Sequence, residues 1–261
     1  MGNQQGGEFR DGDILQTLTR GLSVIACFDR LHPRMTPTEV ARRVGLTRAA
    51  ARRILLTLVS TGHARTDGKQ FELTARILEL GYAYLSSFGL PEVARAAMED
   101  VARQLGESCS MAVLDHGDII YVARVPAQRL MKQVLDVGGR LPAHATALGQ
   151  VLMAALPDDE LNALLEANPL FPLTEHTITD RKVFLERMEQ VRKQGYALVD
   201  EELELGVRSI AVPVHDRRNR VIAAMNVGAD ARRVSLEEMS DRVLTALRRA
   251  VNETERPIGH L

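Results

Sequence analysis

The spacing of apolar and polar positions divides the chain into two textures. Over residues 14–31 the apolar positions Leu18, Leu22, Ile25, Ala26, Phe28 and Leu31 recur at helical period. Over 36–54, TPTEVARRVGLTRAAARRI, two short helices are predicted around a tight turn. Pro37 suits a first helical turn, where its missing N–H is not needed. Val40, Ala41 and Val44 share an apolar face, Gly45 is free to take the left-handed conformation that ends a helix, and Thr47 can cap the next one. In that second helix Ala50, Ala51, Ile54, Leu55 and Leu58 face inward, leaving Arg48, Arg52 and Arg53 outside. Residues 63–73, HARTDGKQFEL, read as a hairpin turning at Asp67-Gly68. Residues 74–88 read as another amphipathic helix, broken by Gly89 and Pro91. Its apolar face either pairs with a second copy of itself or packs back on its own domain.

From residue 90 a helix over 93–105 is followed by predicted strands at 110–114, 119–124 and 130–137. Helices over 145–156, 158–166 and 180–194 come next, then strands at 196–200, 208–215 and 221–227 and a closing helix over 235–252. Six strands joined by turns or single helices predict an antiparallel sheet with helices on its faces. The chain is therefore expected to be α+β. Its predicted parts are a mobile tail (1–13), a winged helix-turn-helix domain (14–74), a linker helix (75–89) and a C-terminal sensor-type domain (90–256).

Charge sharpens the picture. The 261 residues carry a net charge of −1, so the total says nothing of nucleic acid. Between Arg20 and Arg76, however, eleven basic residues face four acidic ones (+7), while the remainder holds 22 against 30 (−8). A basic module joined to an acidic domain is the distribution of a nucleic-acid-binding protein. A helix-turn-helix presents its second helix to the major groove, so Thr47, Arg48, Ala49, Arg52 and Arg53 are candidate DNA contacts. Arg65 and Lys69 of the hairpin would meet phosphate or the adjacent minor groove. A plain helical hairpin with solvated arginines is the simpler reading, and the turn residues and flanking segments favour DNA.

Cys27 and Cys109 are far apart and have no zinc-like spacing, so no disulfide, metal or cofactor is expected. With no signal peptide and no long apolar run, a cytoplasmic protein without membrane contact is expected. In the second half, GGRLPAHATALGQ places small residues at a helix start, where open N–H groups welcome an anion, with His144 and Thr146 as further donors. Packing of that small face on the sheet explains the same residues. In VDEELELGVRSIAVP, Arg208 is either a ligand clamp or a partner of Glu202 or Glu204. Asn226 is polar in an apolar strand, either a satisfied structural amide or a pocket donor. No nucleophile elbow, P-loop, dinucleotide fingerprint or zinc pair is present, so catalysis is not expected.

Together TPTEVARRVGLTRAAARRILLTLVSTG, TARILELGYAYL, GGRLPAHATALGQ, VDEELELGVRSIAVPV and AAMNV resemble the IclR family of bacterial transcriptional regulators over residues 18–255. The likeness extends to its branch controlling aromatic-acid degradation through the β-ketoadipate pathway. The resemblance implies a winged helix, a linker and a GAF-like effector domain. It also implies homodimers, often paired as dimers of dimers, on palindromic double-stranded promoter DNA, with a small organic acid as effector. It places the effector at Leu130, Gln133, Leu141, His144, Thr146, Ala147, Leu148, Val199, Val207, Ser209 and Asn226. Many members have Lys where this chain has Gln150, and members binding small oxoacids have an acid at Val199. Val199 with Val207 favours a flatter, more apolar ligand such as a benzoate. The alternative is a GAF-like domain that acts chemically on its ligand and is targeted to DNA by the winged helix.

Overall fold

The computed structural model describes residues 13–29, 31–81, 90–127 and 136–258. Contacts divide the chain into two units, Met1–Tyr84 and Leu85–Leu261.

The first unit holds α1 (Gln16–Ala26), β1 (Arg34–Met35), α2 (Pro37–Val44), α3 (Arg48–Ser60), β2 (Ala64–Thr66) and β3 (Phe71–Leu73). Local chemistry fixes the two-helix turn. Thr36 caps α2 in a capping box: its hydroxyl accepts from the Glu39 N–H, and the Glu39 carboxylate accepts from the Thr36 N–H at 2.7 Å. These bonds also hold the Glu39 carboxyl below its ordinary pKa. Gly45 ends α2 in the left-handed region at φ 66°, and the Thr47 hydroxyl accepts from Ala50 N–H to start α3. Val24, Met35, Val40, Ala41, Ala51, Leu55 and Phe71 form the core.

Two sequence expectations shift here. The 14–31 stripe is not wholly internal: α1 ends at Ala26, Val24 is fully buried, and Leu18 and Leu22 are exposed. The hairpin gains a third strand, with order β1-β3-β2. Two residues of β1 are too short to leave a period. The linker is described only to residue 81, as a 3-10 turn at Ala75–Ile77 continuing into helix. Its remainder and most of the 1–13 tail lie outside the described residues.

The second unit begins with α4 (Leu90–Leu105) and carries one six-stranded antiparallel sheet. Its strands are β4 (Ser108–Asp115), β5 (Asp118–Val125), β6 (Arg140–Pro142), β7 (Ala197–Asp200), β8 (Val207–His215) and β9 (Val221–Asp230), in the order β6-β5-β4-β9-β8-β7. Between them lie α5 (Ala147–Ala154), α6 (Asp158–Ala167) and α7 (Arg181–Gln194). After β9 come α8 (Leu236–Glu238), a wide π turn (Met239–Val243) and α9 (Leu244–Ile258). The strand predicted over 130–137 falls mostly outside the described residues. β6, not among the strands predicted from the sequence, is a three-residue edge strand containing Pro142, tolerable only at an edge.

Strand alternation sorts the side chains onto two faces. Cys109, Met111, Ile210, Val212, Met225 and Val227 pack under α4 and α9. Ala112, Ala211 and Ala224 point the other way, under α5, α6 and α7. On this second side Gln150 is fully buried and its amide donates to His144 O and to Glu202 Oε2, both at 3.0 Å. Burial pushes the Glu202 carboxyl from its ordinary 4.5 up to about 7, although Arg187, 3.9 Å away, and the Gln150 amide oppose the shift. Between those two values the folded chain holds a proton that the unfolded chain has released. Stability therefore falls as pH rises through that window. Glu202→Gln is expected to raise the melting temperature more at pH 8 than at pH 5. An equal effect at both pH values would show that the carboxyl titrates normally.

Candidate functional site

In the first unit α3 carries the exposed surface of interest. Thr47, Arg48, Ala49, Arg52 and Arg53 are all exposed, while Ala51 and Leu55 anchor the opposite face. Among the described residues Arg48, Arg52 and Arg53 make no ion pair. On the wing, Asp67 Oδ1 accepts from the N–H groups of Lys69 and Gln70, which shapes the tip and leaves the Lys69 ammonium unpaired. Arg65 is different: its guanidinium is bound to Glu72, and Arg34 reaches both Asp67 and Glu72. Three unpaired arginines thus stand on α3 and an unpaired lysine at the wing tip, where a phosphate backbone would meet them without displacing a carboxylate.

In the second unit the polar end of the second sheet face forms a cavity of about 80 Å³. Register builds its floor. Ser108 pairs with Gly228, Gly228 with Ser209, and Ser209 with Val199. In the next row Arg124 pairs with Ser110 and Ser110 with Asn226. Tyr121, Ala145, Thr146, Leu203, Glu204 and Val207 complete the lining. Small residues in adjacent rows leave the space. A Cβ added at Gly228 would meet nothing closer than Ser108 Oγ at 3.7 Å. Asn226 is 8% exposed, and its Oδ1 has no hydrogen-bond partner among the described residues. An orphaned buried acceptor costs about 1–3 kcal/mol, which a ligand donor would recover. Ser209 likewise has no side-chain hydrogen bond among the described residues.

The residues picked from sequence divide. Thr146, Val199, Val207, Ser209 and Asn226 meet at this cavity. His144 does not line it: it is buried, edge-on to Phe171 at 4.8 Å, with Nε2 3.0 Å from Phe171 O. Ala147 and Leu148, the first residues of α5, are buried in the core, with Leu141 packed against it. Leu130 and Gln133 lie outside the described residues. Arg208 pairs with Asp200 at 2.6 Å and donates to Val234 O at 2.6 Å, so neither Glu202 nor Glu204 is its partner. Ser108, Ser110, Tyr121, Arg124 and Gly228 were not picked. Ser108 and Ser110, alternating with Cys109 and Met111, were the available signal. A larger, open groove of about 800 Å³ lies between α6 and α7, but its rim is charged and Arg192 is already bound to Ala154 O, Leu156 O and Asp158. No group of three or more metal-ligating side chains, and no helix long and apolar enough to cross a membrane, occurs among the described residues.

Two family models match the chain: an IclR helix-turn-helix domain over residues 17–68 and a bacterial transcriptional regulator IclR C-terminal domain over 82–256. The Pca regulon regulatory protein of Pseudomonas putida is 40% identical over 238 residues, 91% of this chain and 82% of that one. The p-hydroxybenzoate hydroxylase transcriptional activator of Acinetobacter baylyi is 39% identical, covering 94% of this chain and 93% of that one. Among solved structures, an IclR homolog from Microbacterium hydrocarbonoxydans complexed with 4-hydroxybenzoate superposes with a TM-score of 0.84. It is 26% identical, and the match covers 94% of this chain and all of that one.

Unpaired arginines on α3 have a direct consequence. Arg48→Ala and Arg52→Ala are each expected to weaken duplex binding about tenfold and to lower the salt slope by about one, with the fold unchanged. Fluorescence anisotropy across a salt series reads both. Unaltered affinity and slope in both variants would remove α3 from the interface.

Proposed function

The chain belongs to the IclR family of bacterial transcriptional regulators, and from that premise we propose that it regulates transcription in response to an aromatic hydroxy acid. The observation that carries the reading is the cavity on the polar end of the sheet, with its orphaned Asn226 acceptor, unpartnered Ser209 and small floor. Two similar proteins point the same way: the name of one refers to p-hydroxybenzoate hydroxylase, and the other was solved with 4-hydroxybenzoate.

In this reading residues 14–74 bind promoter DNA through Thr47, Arg48, Ala49, Arg52 and Arg53, with Lys69 and Arg65 at the wing. Arg65 must then exchange Glu72 for phosphate. Residues 75–89 link the modules and 90–256 hold the effector, which Thr146, Val199, Val207, Ser209 and Asn226 contact directly. Leu141, His144, Ala147 and Leu148 support the cavity from the core beside it, and Leu130 and Gln133 belong to the same site. The effector is bound and released unchanged, in the cytoplasm, by a homodimer or a dimer of dimers on a palindromic operator. Control is linkage: an acid that binds one arrangement of the sensor domains better than another shifts the spacing of the recognition helices.

The test is fluorescence anisotropy on DNA from the upstream region of the protein's own gene, with and without 4-hydroxybenzoate or protocatechuate. One acid is expected to change operator affinity by about 5- to 150-fold. Specific DNA binding unmoved by any hydroxybenzoate would end the aromatic-acid reading. An acid consumed during the titration would make the domain an enzyme.

A further inference from the structure

The cavity has a polarity of its own. Arg124 is the one cation among its described lining residues, and Glu204 lies toward the β7 side. No salt bridge joins Arg124 to any carboxylate among the described residues. Its one hydrogen bond is long, 3.5 Å from Nη1 to Ser110 Oγ.

A break in register aims this arginine inward. Ala112 pairs with Tyr121, but Met111 pairs with Ala123, so Val122 is an extra residue on β5. Val122 and Ala123 both join the core under α4 and α9. Tyr121 and Arg124 then share the cavity side, although they are three positions apart. Unbroken alternation from Ile119 and Tyr121 would have turned Arg124 to the opposite face. Bulges commonly re-aim a side chain in this way.

At the start of α5 two N–H groups are already used, while those of Ala147 and Leu148 make no hydrogen bond among the described residues and remain open beside the cavity. Gly149 N–H bonds the Thr146 hydroxyl, that hydroxyl donates to Ala143 O, and Gln150 N–H bonds Thr146 O. Arg124, Ser110 and Asn226 stand on three successive strands, about 4.8 Å apart at each step. A guanidinium and an unpartnered acceptor therefore stand on either side of Ser110 in one row across the sheet, with the Gly228 floor beside them.

We propose that Arg124 is the carboxylate anchor of this cavity, so that its ligand is a hydroxyaryl monocarboxylate with the carboxylate toward β5 and the hydroxyl donating to Asn226. This rests on the cavity being the effector site. The ring lies over Gly228, and charge rather than shape separates the acid from neutral compounds of the same outline.

Calorimetric titration of the full chain with 4-hydroxybenzoate and with neutral 4-hydroxybenzamide tests it. The wild type is expected to prefer the acid by about tenfold or more. Arg124→Gln should lose about 10- to 100-fold in acid affinity while binding the amide as before. Arg124→Lys, which keeps the charge, should recover part of the loss and serves as the check on folding. Gly228→Val, which fills the cavity, should abolish binding of both. If Gly228→Val loses the acid but Arg124→Gln binds it normally, the cavity stands and Arg124 is not its anchor. If Gly228→Val binds the acid as the wild type does, or the wild type binds neither compound, the site itself is misplaced.

Discussion

The second unit depends on the register of β4, β9 and β8. With those strands locked, one face presents Met111, Met225, Val227, Ile210 and Val212 to α4 and α9, and must stay closed. The other face presents Ser108, Ser110, Gly228, Asn226 and Ser209, and stays open enough to hold a ligand. A slip of one residue would bury the serines and expose the methionines, so the packed face enforces the geometry of the open one. The cover on the open face is held nearly as firmly. A Cβ at Gly149 would lie 2.1 Å from Ala143 O, so only glycine lets the first turn of α5 approach the turn before it. That approach places Ala145 and Thr146 at the cavity edge.

How much was legible in the sequence follows from the range of the interactions. The helix-turn-helix was readable nearly residue by residue, because Pro37, Gly45 and Thr47 act within their own turns. The sheet class and most strands were readable from alternation. Arg124 was not, because one extra residue in β5 reverses its facing and leaves no mark in composition or period. His144 was attractive as a donor beside a small-residue helix start. Its engagement with Phe171, 27 positions away, is a tertiary fact. Arg208 illustrates the same limit: Asp200 is farther from it in sequence than Glu202 and Glu204, and the β7–β8 pairing of Asp200 with Arg208 selected it.

The two units divide the labour by charge. The first offers unpaired cations on α3 and the wing tip, while its ion pairs at Arg34 and Arg43 stiffen the scaffold. The second is acidic overall but directs one unpaired cation into its cavity. In the proposed reading each unit offers positive charge to a different anion, a phosphate backbone in one and a carboxylate in the other. Communication between them requires that the two binding events share a free energy, typically about 1–3 kcal/mol.

That shared energy is measurable from the effector side. The affinity of 4-hydroxybenzoate would be determined by calorimetry for the protein alone and for the protein saturated with operator DNA. Linkage requires the acid's affinity to change by the same factor as the acid changes DNA affinity, about 5- to 150-fold, and in the same sense. Identical acid affinity in the free and operator-bound protein would contradict the account, leaving a DNA-binding unit and an acid-binding unit that do not communicate through binding.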